Sequence, residues 1–155
     1  MRAMLSLVFL AGLTLAALAG DRAGYSTPPA GSPLRKQIMD TLRIPTEERL
    51  GQAVVFKVNA LRVQDSWALF VGYAIQPNGN PVDYRKSKPY RRDPRGTKEM
   101  IDAGAVNFGG VDALLKREGD HWRIVTINFD ASDVHWYDFD QKYGAPHRLV
   151  TDPLQ

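Results

Sequence analysis

Residues 53–76 read AVVFKVNALRVQDSWALFVGYAIQ, and this stretch decides the fold. Val54, Phe56, Val58 and Ala60 alternate as one apolar face of a strand, because side chains in extended chain point to opposite sides at every step. The alternation then slips to Leu61 and Val63, which a single extra residue near Asn59, a β-bulge, would explain. Asp65-Ser66 is a tight turn, and beyond it Trp67, Leu69, Val71, Tyr73 and Ile75 line one face while Ala68, Phe70 and Ala74 line the other. A strand apolar on both sides belongs in the middle of a sheet with both faces covered.

A second hairpin follows from Val111 to Asp130, its arms VDALLKRE and WRIVTINFD joined at Gly119-Asp120. Upstream, Ser32 precedes Pro33 as an N-cap precedes a first-turn proline. Leu34, Ile38 and Leu42 recur at helical spacing. Pro45 is expected to end this helix, because the residue before a proline is pushed away from α geometry. A short turn from Thr46 to Leu50 then closes at Gly51. Downstream, Ser132 or Asp133 is placed to cap a short helix running through Tyr143, with Gly144 at its C′ position and Pro146 beyond.

The order helix, hairpin, long excursion, hairpin, helix predicts an α+β fold. An N-terminal helix packs on a curved antiparallel sheet of about four strands, with a short C-terminal helix. A flat α/β sandwich of the same elements is the competing arrangement. The single α+β domain is expected to span 32–150, with a long basic loop at 82–110 and a tail at 151–155.

The N-terminus carries its own signal. Arg2 precedes the uncharged run Met4 to Leu18, and Ala17-Leu18-Ala19 has the small-x-small pattern of a signal-peptidase site. Residues 1–19 are therefore read as a cleavable signal peptide, too short for a comfortable transmembrane span of about 20 residues. Residues 20–31, GDRAGYSTPPAG, read as a flexible leader. The chain has no cysteine, which excludes a lipobox, disulfides and a cysteine nucleophile. The expectation is a soluble, untethered periplasmic or secreted protein whose stability comes from apolar burial alone.

The net charge is +3, but its distribution matters more than its total. Arg85, Lys86, Lys88, Arg91, Arg92, Arg95 and Lys98 face only Asp93 within the segment 85–98. The rest of the chain after residue 19 is net acidic, so the basicity belongs to one segment. Tyr84 and Tyr90 are interleaved with its cations. The candidate binding residues are accordingly Tyr84, Arg85, Lys86, Lys88, Tyr90, Arg91 and Arg92: arginine offers bidentate contacts to phosphate or carboxylate, and the aromatic faces offer stacking. Outside the cytoplasm the matching partners are a lipid headgroup, an anionic envelope polymer, released nucleic acid, or an acidic patch on a partner protein. A solvated loop balancing an acidic domain is the plain alternative.

Candidates for chemistry are weaker. Around His135, the stretch 130–140 holds Asp130, Asp133, Asp138 and Asp140, and on a helix His135 and Asp138 would lie one turn apart. The set has neither a metal-ligand spacing nor a calcium-loop pattern. His121 and His147 have no nucleophile nearby in the sequence, and there is no Gly-x-Ser-x-Gly or His-Glu-x-x-His. No cofactor or metal is implied.

Leu42-Arg43-Ile44-Pro45 with Leu50-Gly51, Leu61-Arg62-Val63 before Trp67-Ala68, and Tyr143-Gly144-Ala145-Pro146 resemble a group of small exported bacterial proteins of unassigned function. The helix-plus-bent-sheet order is similar to the cystatin-like and nuclear-transport-factor-like cones. These resemblances imply export and a small α+β domain, and bring no catalytic residues with them. The leading reading is a non-enzymatic binding protein acting through the basic segment. Alternatives are a cone-type carrier or enzyme, with Asp130, Asn128 or Tyr73 in a pocket between helix and sheet, and a secreted inhibitor.

Overall fold

The structure is a computed structural model that describes residues 24–154. The apolar N-terminal run and its expected cleavage site lie outside the described residues. Helix α1 (Pro33–Leu50) is followed by strands β1 (Val55–Gln64) and β2 (Trp67–Ile75). A 3-10 turn (Tyr84–Lys86) leads into the short helices α2 (Lys88–Arg92) and α3 (Pro94–Asp102). Strands β3 (Gly110–Glu118) and β4 (His121–Phe129) come next, then helices α4 (Phe139–Tyr143) and α5 (His147–Thr151). All four strands pair antiparallel in the order β1-β2-β3-β4, an open sheet with β2 and β3 at its centre.

Helix α1 begins as its sequence requires. The Ser32 hydroxyl accepts a bond from the Arg35 amide at 3.3 Å, with proline in the first turn. It does not end at Pro45 but runs through it to Gly51, whose φ of 64° forms a left-handed cap with its N–H on the Glu47 carbonyl. Pro45 leaves the Thr41 carbonyl without its usual donor, on a side of the helix where Ile44 is 72% exposed. On the opposite side Thr46 and Leu50 are buried, and the Thr46 hydroxyl donates to the Leu42 carbonyl at 2.7 Å. Burial of that last turn outweighs the local preference of the residue before proline.

The bulge in β1 lies where the alternation slips. Val58 pairs with Gly72 and Ala60 with Val71, leaving Asn59 as the extra residue. This brings Phe56 and Val58 onto the same side as Leu61 and Val63, all packed in the core beneath α1. The bulge also presses the β1 backbone onto β2: a Cβ on Gly72 would stand 2.4 Å from the Lys57 carbonyl oxygen and 3.0 Å from the Phe70 ring. Replacing Gly72 with alanine should therefore cost about 2–3 kcal/mol in urea unfolding, because a backbone atom must move.

Both faces of the sheet are covered. Beneath α1, Ile38, Leu42 and Leu50 meet Leu61, Ala68, Phe70, Ala113, Leu115 and Trp122. On the opposite face Leu69, Val71 and Leu114 meet Trp136, Phe139, Ala145, Leu149 and Val150 from the C-terminal segment. The parity read for β2 is the one observed. The segment expected as a leader is tied down among its described residues: Ser26 pairs with Val63 through two backbone bonds of 2.8 Å, and the Tyr25 ring lies 4.8 Å under the Arg62 guanidinium.

Candidate functional site

The basic segment reads as a long loop with at most a helical turn or two at Thr97 to Ala103, where α3 is indeed found. The rest is not irregular either: the segment folds as the 3-10 turn, α2 and α3 in succession. Three side chains nucleate the pieces. The Asp83 carboxylate accepts from the Arg85 amide, the Ser87 hydroxyl from the Tyr90 amide, and the Asp93 carboxylate from the Gly96 amide. Prolines 89 and 94 occupy first-turn positions of α2 and α3, where a missing N–H costs no helical bond. The segment is fastened to the fold through Gln52, whose amide donates to the Asp83 carbonyl at 2.9 Å and accepts from the Asp83 N–H at 3.0 Å. Gly51 seals the joint, since a Cβ there would stand 2.2 Å from the Lys86 carbonyl oxygen.

Within this scaffold the seven candidate residues divide by what they touch. Tyr84 and Tyr90 meet edge to face at 5.5 Å, and Tyr84 meets Phe108 the same way at 6.0 Å. Both rings are half-buried, so they brace the excursion from within. Arg85 closes on Asp83 at 2.9 Å. Its hydrogen bond holds the Asp83 carboxyl below the usual range and raises the guanidinium in return. Lys88 bridges to Glu48 on α1, lowering that carboxyl by the same cause. The Arg91 guanidinium donates to the Lys86 carbonyl, a bond that leaves its charge unneutralised. Lys86 and Arg92 make no side-chain hydrogen bond or ion pair among the described residues, and both are exposed.

Outside the seven, Lys98 pairs with Asp102, while Arg95 is exposed and unpaired among the described residues. Four cations, Lys86, Arg91, Arg92 and Arg95, therefore face solvent without a carboxylate among the described residues. Beside them is a shallow depression of about 500 Å3 between α1 and α2, lined by Glu48, Arg49, Lys88 and Arg92 over Phe129.

The stretch around His135 is not a helix. Residues 131–138 cross the sheet irregularly, and α4 begins only after Asp138, so His135 and Asp138 do not share a helical turn. The reason is Trp136, 9% exposed and packed with Leu69 and Leu114: an early start to α4 competes with seating that ring on the sheet. His135 is exposed, and its Nδ1 bonds the Asp133 carbonyl at 2.7 Å. His147 bonds Asp140 at 2.6 Å, which lowers that carboxyl. Among the described residues no group of three His, Asp or Glu is placed to hold a metal ion, nor is any helix long and apolar enough to cross a membrane.

The space between α1 and the sheet, where a carrier or enzyme of the cone type would hold its ligand, is filled by Phe70, Leu115 and Trp122. Asp130, Asn128 and Tyr73 do not converge there. Asp130 turns back under α1 at φ 60° and pairs with Arg49 at 2.7 Å. Asn128 and Tyr73 belong to strands flanking β3, and Tyr73 lines a small pocket on the opposite face together with Asp112. Asp112 went unread, although its signal was plain: it is the one charged residue in the apolar run Val111 to Leu115. Burial raises its carboxyl to about 6.

Comparison with protein-family models, curated proteins and solved structures returns no match to this chain.

Proposed function

We propose that the protein is an exported, non-enzymatic binding protein whose contact surface is the basic excursion, and that its ligand is an anionic component of the cell envelope. The observation that carries this reading is the set Lys86, Arg91, Arg92 and Arg95: exposed, without a carboxylate partner among the described residues, and presented on short capped helices. Ordering of the segment lowers the entropy lost when the cations engage a partner. Export rests on the N-terminal signal-peptide pattern, supported by the resemblance to small exported proteins. Because Tyr84 and Tyr90 are engaged with each other, recognition is by charge. That favours a phosphate-bearing surface over stacked single-stranded nucleic acid, which uses open aromatic faces.

The chain lacking residues 1–19 is expected to co-sediment with phosphatidylglycerol vesicles at low salt, to release as ionic strength rises, and to ignore phosphatidylcholine vesicles. Each cation near an anionic surface contributes about 1 kcal/mol. Changing Lys86, Arg91, Arg92 and Arg95 together to glutamine should thus weaken binding by about 100-fold or more. Arg85→Gln, which removes a cation already paired with Asp83, should matter far less. Binding that survives the fourfold change, or that is indifferent to salt, would sink the reading; capture of an acidic protein in place of the vesicles would transfer the same surface to a protein partner.

A further inference from the structure

On the face of the sheet away from α1, a pocket of about 220 Å3 opens between β2, β3 and the crossing segment 131–136. Its walls include Asn59 at the bulge, Tyr73, Asn107 and Trp136. Asp112 lies in the lining, 8% exposed, and its carboxylate accepts no hydrogen bond among the described residues. Its carboxylate meets solvent only through the pocket, and the partial burial disfavours its charged form; a cation brought to it would relieve that cost.

The rest of the lining defines what kind of cation fits. No lysine or arginine lines the pocket; its other ionisable side chains are Asp133 and Tyr73. The Tyr73 hydroxyl accepts from the Asn107 amide at 2.8 Å, which leaves its own proton to donate. Trp136 and Tyr73 supply aromatic walls, which attract cations through the ring quadrupole. No trio of His, Asp or Glu among the described residues offers a metal a ligand set. We propose that this pocket binds a small organic amine carrying one ammonium group, with Asp112 as its counter-ion and the Trp136 and Tyr73 rings at its sides.

The titratable groups around the bound ammonium are Asp112 on β3, Tyr73 on β2, and Asp133 and His135 on the crossing segment. Because burial raises Asp112 to about 6, its carboxylate is ionised at neutral pH and takes up a proton below that value. Amine affinity should therefore fall as pH drops from 7 to 5 while the amine itself stays charged. His135→Gln separates the contribution of His135 from that of Asp112.

The test is a titration with methylammonium, ethylammonium and ethanolammonium, followed by the Trp136 indole N–H signal in NMR. At least one should give a saturable shift at neutral pH, and propanol, similar in size but uncharged, should give none. Asp112→Asn, close in shape and expected to fold at least as stably, should weaken the amine response at least 10-fold, whereas Arg91→Gln with Arg92→Gln should leave it unchanged. No saturable shift with any of the three amines, or equal affinity in Asp112→Asn, would overturn the proposal. Neither result bears on the basic excursion, which vesicle binding tests by itself.

Discussion

Arg62→Ala is expected to lower the free energy of unfolding by about 2–4 kcal/mol and to free the C-terminal segment from the sheet. Arg62 sits on β1 with 3% of its surface exposed and has no carboxylate partner among the described residues. Its Nη1 donates to the Leu149 carbonyl at 3.1 Å and its Nη2 to the Pro153 carbonyl at 2.5 Å. The guanidinium plane also rests on Tyr25. One side chain thus holds both ends of the described chain against the same sheet face. Alanine would strand the buried Leu149 carbonyl, a loss of about 1–3 kcal/mol, while the carbonyl of exposed Pro153 can turn to water, and the ring contact, worth about 0.5–2 kcal/mol, would be lost as well. Hydrogen exchange should locate the damage, with protection falling first in residues 147–153, where Leu149 and Val150 are now buried. Arg62→Lys, which keeps the charge but not the fork, should fall between the two. A loss under about 1 kcal/mol, with exchange in 147–153 unaltered, would show that apolar burial alone holds the segment.

The same arginine shows where reading the sequence reaches its limit. Arg62 stands in the outward parity of a strand whose other face is apolar, and that pattern ordinarily marks a solvated charge. Only the return of the C-terminal segment, some ninety residues on, buries it. Parity was legible except at Ala60: the slip to Leu61 requires an extra residue, the bulge at Asn59 supplies it, and Ala60, read with Val58, instead turns to the opposite face beside Leu69 and Val71. The basic excursion was legible in charge but not in shape, since pieces of three to nine residues are too short to show a helical period. Its caps were nonetheless present as Asp83, Ser87-Lys88-Pro89 and Asp93-Pro94. Which cations remain free was not legible, because Lys88 is neutralised by Glu48, forty residues upstream. Pro45 misled for a related reason: the rule against helix before proline is local, and the burial of Thr46 and Leu50 is not.

Asp130→Ala should cost about 4–5 kcal/mol, and the comparison with Asp130→Asn should separate its two causes. Asp130 ends β4 and is 8% exposed. One carboxylate oxygen accepts from the Gly109 amide at 2.8 Å and the other from Arg49 at 2.7 Å, while its backbone bonds Asn107 and Gly110. The Arg49 guanidinium also stacks on Phe129 at 5.0 Å. This cluster ties the last turn of α1 to the chain that re-enters the sheet after α3, and so anchors both ends of the basic excursion. Arg49 keeps a third of its side chain exposed, so water can rehydrate its charge once the partner is gone, which places the loss from breaking the pair toward the lower end of the usual 3–5 kcal/mol. Alanine adds about 1–2 kcal/mol of backbone strain at a φ of 60°. Asparagine tolerates that conformation and keeps an acceptor for Gly109, and should cost about 1–2 kcal/mol less than alanine. The pair is partly buried, so the difference between the variants should change little with added salt. Equal losses for the two variants would assign the whole effect to the ion pair; a negligible loss for Asp130→Ala would mean that Gln52 and the core beneath α1 hold the excursion without it.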